Sequence, residues 1–379
     1  MNALALPLAG MLLAMLGELW VLQRKQRLAS DAPVQTDPWL EAIANLNSGH
    51  LVLWFFRGIE VAGYAWIWQH AQPHALDGWP RWVVALGAFI AWDFGFYWLH
   101  RLHHRLGVLW AIHAVHHQGE HFNLSLGIRN SWLSSLSSLP FFVPLALVGV
   151  PVELFVAVSS IHYTVQFYNH SGLVGHAGWL ERVMVTPSHH RIHHGANPEY
   201  VDKNFGGTLL LWDRLFGSFQ RPVPGVAIRY GIHHWRASYN PLWLNLLPAL
   251  QWLGWPAPSP GLPTTLSRQQ RRQVISGAVL LFSNVVYAVH RQGQWPDGQQ
   301  PLLWGLLALQ TLALGAWADG RRWAVVVVSG LGLTLPLLFG AVFGLRDPLG
   351  LLPMLAMAAH GAWVLATAWR RVPASRSPA

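Results

Sequence analysis

Cysteine is absent from all 379 residues. That removes disulfide scaffolds, thiolate zinc sites, iron–sulfur clusters and thiol nucleophiles together. Charge is scarce as well: Asp, Glu, Lys and Arg make up 11% of the chain, against about 25% in ordinary soluble domains. Hydrophobic residues reach 53%, with a mean hydropathy of +0.29, which excludes a disordered chain and argues against a soluble one. The 25 Lys and Arg outnumber the 16 Asp and Glu, a balance that can signal nucleic acid. Only two of the cations are Lys, however, and they form no basic stripe with interleaved aromatics, so nucleic acid is not an expected partner. What the chain has in excess is Trp, 23 of them, and Trp gathers where bilayer hydrocarbon meets headgroups. This is the composition of a multi-pass membrane protein.

Apolar stretches of spanning length fall at 3–22, 51–69, 82–99, 132–150, 152–169, 274–290, 301–317, 323–343 and 351–369. The first is followed by Arg24, Lys25 and Arg27 and shows no small-residue cleavage site, so a retained anchor is expected. With those three cations in the cytoplasm, the outer loops hold only Arg81, Arg291 and Arg346. The inner side collects Arg101, Arg105, Arg129, Arg182, Arg191, Arg214, Arg221, Arg236, Arg271, Arg370 and Arg371 among others. Four regions follow: anchors at 1–80, a catalytic portion at 81–240, a Pro-rich linker at 241–272 (Pro256, Pro258, Pro260, Pro263) and a four-span C-terminal region at 273–379.

Of 21 His, 11 lie in two windows, 100–121 and 189–194. His100 and His104 are spaced i,i+4 at the inner end of the third span. His113, His116 and His117 are spaced i,i+3,i+4, as are His190, His193 and His194. At about 100° per residue each set shares one helical face, where ring nitrogens can converge. Thr186, Pro187 and Gly195 frame the last set as N-cap, first helical position and stop. The topology puts all three sets on the cytoplasmic face beside His170. A lone His is most often a polar core residue, but three sets in register on one face point to metal. Eight or nine imidazoles are too many for one ion and suit two. His-Glu-x-x-His and Glu-x-x-His are both absent, which argues against a zincin protease and a carboxylate-ligated di-iron bundle. Imidazole suits zinc, copper, iron and nickel alike, so the residues alone do not name the metal. The expected fold is all-α: a multi-pass transmembrane bundle with a cytoplasmic His-rich helical cap holding a dimetal site.

Leu99-His-Arg-Leu-His-His104, Trp110-x-x-His-x-x-His-His117 and Pro187-x-x-His-Arg-x-His-His194 resemble the motifs of the fatty acid hydroxylase superfamily, also called the sterol desaturase family. The likeness covers roughly 85–235 and continues through Asn204-Phe-Gly and Trp212-Asp-Arg-Leu-Phe-Gly217. Within the superfamily, Asn123–Arg129, Thr186–Gly195 and Asp202–Gly207 are most similar to the alkylglycerol monooxygenase branch. The resemblance implies a di-iron enzyme that uses O2 to oxidise an unactivated C–H bond of a lipid, an ether lipid in that branch. It implies nine ligands: His100, His104, His113, His116, His117, His170, His190, His193 and His194. Gln166 stands where family members often carry a further His, so a water or an amide is implied there. Arg105 stands where the branch has a Glu associated with pterin use, so the resemblance does not extend to tetrahydrobiopterin. No nucleotide-binding glycine pattern is present, and the electron donor is expected to be a separate protein or a small reductant.

Asp93, an ionisable group inside a span, is the other candidate catalytic residue with Gln166. It could accept from a ligand imidazole of a different helix or serve a structural ion pair. His103 and His189 adjoin ligand positions but point off the shared face. Arg57 and Glu60 suit mutual neutralisation, and Asp213 with Arg214 suits capping. Two other readings compete. A sterol or acyl-lipid desaturase shares the first hydrogen abstraction. A metal transporter or sensor would place its site near the bilayer midplane. The Arg-rich, Lys-poor composition fits a bacterial inner membrane.

Overall fold

A computed structural model describes residues 5–25, 36–49, 51–71, 74–232, 237–256, 266–291, 298, 300–343 and 348–368. His50, Arg27, Arg236, Arg346, Arg370, Arg371, Pro258, Pro260 and Pro263 lie outside them. The described residues form helices joined by turns and loops, with no strand beyond one isolated antiparallel bridge, Met184 to Leu209. In chain order the helices are α1 (Ala5–Arg24), α2 (Pro38–Gly49), α3 (Leu51–Ala71), α4 (Arg81–Arg105), α5 (Gly107–His117), α6 (Ser134–Val148), α7 (Val152–Asn169), α8 (Pro187–His193), α9 (Leu211–Leu215), α10 (Pro241–Trp252), α11 (Arg268–His290), α12 (Gln300–Ala318), α13 (Arg322–Phe343) and α14 (Pro348–Ala368). Short 3-10 turns occupy Leu124–Ile128 and Gly178–Arg182.

All nine apolar stretches form helices, but six are long and apolar enough to cross a membrane: α1, α4, α11, α12, α13 and α14. The others fall short for different physical reasons. Helix α6 has 15 residues, shorter than the roughly 20 that a span needs. Helix α3 carries Arg57 and Glu60, whose Nη1–Oε2 separation is 2.5 Å. Ser138 of α6 donates to Glu60 and Arg57 donates to Ser159 of α7, at 2.7 Å each. This polar network is satisfied side chain to side chain inside a helix cluster, which is how charges survive in an apolar setting.

The chain divides into two compact units. One comprises residues 15–237 and 244–259. Its apolar core lies between α3, α4, α6 and α7, where Tyr64 stacks on Phe155 at 4.0 Å and Trp92 on Phe142 at 4.6 Å. Stacked aromatics of this size supply large buried area with defined geometry. Helix α2, which apolar patterning passes over, is buried along most of its length. It lies against the Leu124–Ile128 turn, where a Cβ on Gly49 would overlap the Ile128 carbonyl. The second unit comprises residues 1–14, 238–243 and 260–379, so it holds α11 to α14. Ser267 and Gln270 close a reciprocal capping box at the start of α11. Helices α13 and α14 approach closely at Gly332 and Gly361, the small-residue contact that membrane helices favour. The stretch expected as a linker includes α10, with Pro241 and Pro248 in it; of the four prolines named above, Pro256 lies among the described residues.

Candidate metal centre

The local sequence places the imidazoles before any tertiary contact does. Helix α4 runs 25 residues and ends at Arg105; Leu106, extended at φ −104° and ψ 120°, breaks the chain direction, and α5 starts at Gly107. His100 and His104 therefore leave the end of a spanning helix as His113, His116 and His117 return on the next. Helix α8 begins with Thr186 in extended backbone and Pro187 at its first position, and ends at His194. Gly195 then allows close passage: a Cβ there would stand 2.8 Å from Tyr200 Cβ.

These elements bring the nine imidazoles into two groups. His100, His104, His113, His117 and His193 form one, and His116, His170, His190 and His194 the other; within each, candidate ligand atoms lie within 4.8 Å of one another. In the first, His113 Nε2 is 3.0 Å from His100 Nε2 and 3.2 Å from His117 Nε2. In the second, His170 Nε2 is 2.9, 3.1 and 3.2 Å from the Nε2 atoms of His190, His194 and His116.

The hydrogen bonds of the other ring nitrogens show what those short separations require. Nδ1–H donates to a main-chain carbonyl in His100 (Phe205, 2.8 Å), His116 (Arg129, 2.7 Å), His170 (Gln166, 2.7 Å) and His193 (Lys203, 2.9 Å). A carbonyl can only accept, so each neutral ring carries its proton on Nδ1 and an unshared pair on Nε2. The Nε2 atoms of His116 and His170 thus oppose one another, lone pair to lone pair, at 3.2 Å. Nε2 of His104 and His193 and Nδ1 of His190 are buried with no hydrogen-bond partner. Such a set is repulsive and unsatisfied by itself, and a cation between the nitrogens resolves both costs. Separations near 3 Å match the edges of a coordination polyhedron with metal–nitrogen bonds of about 2.1 Å. The residues fit a pair of metal ions.

Burial, reinforced by neighbouring imidazoles, pushes His113, His117, His170, His190, His193 and His194 well below the usual imidazole range. Burial likewise takes His116 down to about 4. At neutral pH these rings are uncharged, the state that ligates metal.

The loop carrying two of the carbonyls is held in place. Asp202 and Asn204 adopt left-handed backbone, φ +60° and +54°, a conformation that Asx residues tolerate better than other side chains. Asn204 donates to His189 O and Gln220 O and accepts from Gln220 N. Asp213 receives Phe205 N, Gly206 N and Ser218 Oγ at 2.7–2.8 Å. Among the described residues, Asp202 sets a carboxylate beside the first group: Oδ1 lies 3.4 Å from His104 Nδ1, and Oδ2 lies 3.7 Å from Arg105. Its interaction with His104 keeps this carboxyl below the usual range.

Asp93 and Gln166 stand beside the groups, not in them. Asp93 accepts from Thr208 N, Leu209 N and Trp212 Nε1 and lies 3.3 Å from His162 Nδ1, so its partners are backbone, indole and an imidazole outside both groups. Gln166 gives its side-chain amide to Gly207 O, while its carbonyl orients His170. His103 uses both nitrogens, on Leu99 O and Ser137 Oγ, and His189 meets Thr186 Oγ1 at 3.3 Å. Sequence reasoning passed over a second layer. Buried Arg129 donates to Val115 O, Asn45 Oδ1 and Gln118 Oε1, fixing α5 against α2. Glu41 accepts the backbone N–H of Glu120 and His121, and Glu18 those of Leu124 and Gly172. A carboxylate inside an otherwise apolar helix was the available signal for both.

Residues 85–218 match the family model described as fatty acid hydroxylase, and all nine imidazoles lie inside that stretch. This stretch belongs to the fatty acid hydroxylase family. Around the fatty acid hydroxylase domain, similarity extends to an alkylglycerol monooxygenase from Homo sapiens, 35% identical over 59% of this chain and 48% of that protein. The alkylglycerol monooxygenase of Xenopus tropicalis is 37% identical over 50% of this chain and 42% of its own length. An ornithine lipid hydroxylase from Rhizobium tropici is 33% identical over 38% and 44%. The matched region spans about half the length of the alkylglycerol monooxygenases. No solved structure matches the chain significantly.

Proposed function

We propose that this protein is a membrane di-iron oxygenase that inserts one oxygen atom from O2 into a C–H bond of a lipid. The observation that carries the reading is the pair of all-imidazole groups, five rings and four, whose candidate ligand atoms lie within 4.8 Å of one another, with several Nε2 pairs near 3 Å. His100, His104, His113, His117 and His193 would hold one iron, and His116, His170, His190 and His194 the other. Bound iron would supply O2 activation, chemistry that no side chain here provides. The chain's own residues do the rest. Main-chain carbonyls hold the protons on Nδ1, and burial excludes bulk water from the rings. Asp202, with Oδ1 3.4 Å from His104 Nδ1, would steady that ring electrostatically. The site lies at the end of α4, and we place that end at the cytoplasmic face of a bacterial inner membrane, on the distribution of Arg. There an amphiphile could keep its headgroup wet while its chain enters between helices. Similarity to alkylglycerol monooxygenases supports an ether lipid as substrate. Arg105, in contact with Asp202, argues against a tetrahydrobiopterin donor at that place, and a separate carrier would supply electrons.

The test is metal content of anaerobically purified protein in nanodiscs, with Mössbauer spectroscopy, followed by lipid turnover under O2. Two spin-coupled irons per chain and a product heavier by one oxygen atom are expected. A product lighter by two hydrogens would make the enzyme a desaturase, and zinc in place of iron would end the oxygen chemistry. His190→Ala should lower bound iron and abolish turnover; full activity in that variant would refute the ligand assignment.

A further inference from the structure

The reaction proposed above consumes electrons that this chain has no visible means to collect. With no cysteine it builds no iron–sulfur relay, and seven of the nine grouped imidazoles are buried, the other two partly so. A donor must therefore approach the protein surface near them. A recess of about 630 Å³ lies beside α8, lined in part by Ser188 and His189 of that helix, whereas His190, His193 and His194 belong to the imidazole groups. Recess and metal ligands share one helix, whose diameter with side chains is about 10–12 Å.

The recess has the chemistry of a docking surface for an acidic partner. Arg182, Arg214 and Arg221 line it and are exposed, and no ion pair among the described residues involves any of them. Glu181, the one carboxylate in the lining, is occupied by Ser188 Oγ, Ala177 N and His176 Nε2. Trp179 stands at the rim 71% exposed, and exposed Trp beside Arg is the composition of interface anchors. At the floor, His189 meets the Phe219 ring at 5.6 Å and is bonded directly to His190.

We propose that this recess docks an acidic one-electron carrier protein, which passes electrons through His189 and α8 to the four-imidazole group. Each docking event oxidises the carrier by one electron and reduces the metal pair by one. Two events, with two protons from solvent, balance the reaction: R–H, O2, two electrons and two protons give R–OH and water. The inference rests on the di-iron reading, and its test separates the two.

An acidic [2Fe–2S] ferredoxin serves as probe. Its affinity for the full-length protein in phosphatidylcholine nanodiscs is measured at about 50 and 300 mM salt, and anaerobic reduction of the iron-loaded protein is followed by stopped flow. Salt should weaken binding, since complementary charge governs such encounters. The variant R182E/R214E/R221E should lose about tenfold or more in both affinity and reduction rate, and the milder R182Q/R221Q less. Reduction by dithionite with methyl viologen should be the same in all forms, which also verifies folding. Failure of dithionite to reduce any form would overturn the di-iron reading and this inference with it. Normal dithionite reduction with no ferredoxin binding, or with equal binding by wild type and variants, would overturn the docking surface alone. Stabilisation of wild type but not the variant by phosphatidylglycerol, with equal ferredoxin affinity, would assign the recess to a lipid headgroup instead.

Discussion

Asp93→Asn separates a structural carboxylate from one that acts on the metal centre. The side chain is fully buried and satisfies three donors: Thr208 N on Oδ1, and Leu209 N and Trp212 Nε1 on Oδ2. An amide offers a single acceptor oxygen. Turned toward Leu209 and Trp212 it keeps two bonds, and its NH2 group then faces the Thr208 N–H. A buried donor left unsatisfied costs about 1–3 kcal/mol, and loss of charge weakens the two surviving bonds by roughly 1 kcal/mol each. The sum, about 3–5 kcal/mol, is a large share of the ~5–15 kcal/mol that a folded domain possesses. Asp93→Asn should therefore fold with a lowered denaturation midpoint, followed by Trp fluorescence in detergent micelles, and still bind both metal ions. Asp93→Ala orphans all three donors and should fall close to the threshold of unfolding. Wild-type stability with metal lost in Asp93→Asn would refute the reasoning, because the carboxylate would then be acting on the ligands. Wild-type stability with metal retained would refute the hydrogen-bond accounting itself.

Gly127→Ala would put a Cβ 2.9 Å from His170 Nδ1 and 3.2 Å from its Cγ; displacement of that ring should empty the four-imidazole group, so metal analysis should find close to one ion per chain instead of two. Acid should destabilise the metal-free protein. Because the buried imidazoles have pKa values lowered from 6.5, the unfolded chain binds more protons below that pH. Stability is then complete above about pH 6.5 and declines as pH falls through it; a flat pH profile of the melting temperature would contradict the neutral, buried assignment. Arg271→Cys on the native cysteine-free background should react only with a thiol reagent admitted to the cytoplasmic side, and labelling from outside would reverse the orientation proposed for the site.

Much of the centre was legible because its determinants are local. The i,i+3,i+4 spacing sets the face of α5, and Thr186, Pro187 and Gly195 bound α8 whatever surrounds them. The partition of nine rings into five and four was not legible, since His193 and His194 are neighbours in sequence yet join different groups. Adjacent residues on a helix diverge by about 100°, and only packing decides what each meets. Asp93 and Gln166 show the same limit: their positions near the ligands were readable, whereas their partners at 207–212 are brought by a distant loop. Helix α2 lies outside the apolar stretches because its 12 residues are too few to span a bilayer and mix Glu41, Asn45 and Asn47 with the apolar side chains.

The carbonyl acceptors at Phe205, Arg129, Gln166 and Lys203 bear on how the protein acquires its metal. Most histidine sites must shed protons to load, so uptake competes with acid and releases heat into the buffer. Here main-chain oxygen has already fixed the tautomer and burial has already discharged the rings. Filling the site near neutral pH should then expel no protons from the rings, and the calorimetric enthalpy of loading should be the same in buffers of different ionisation heat.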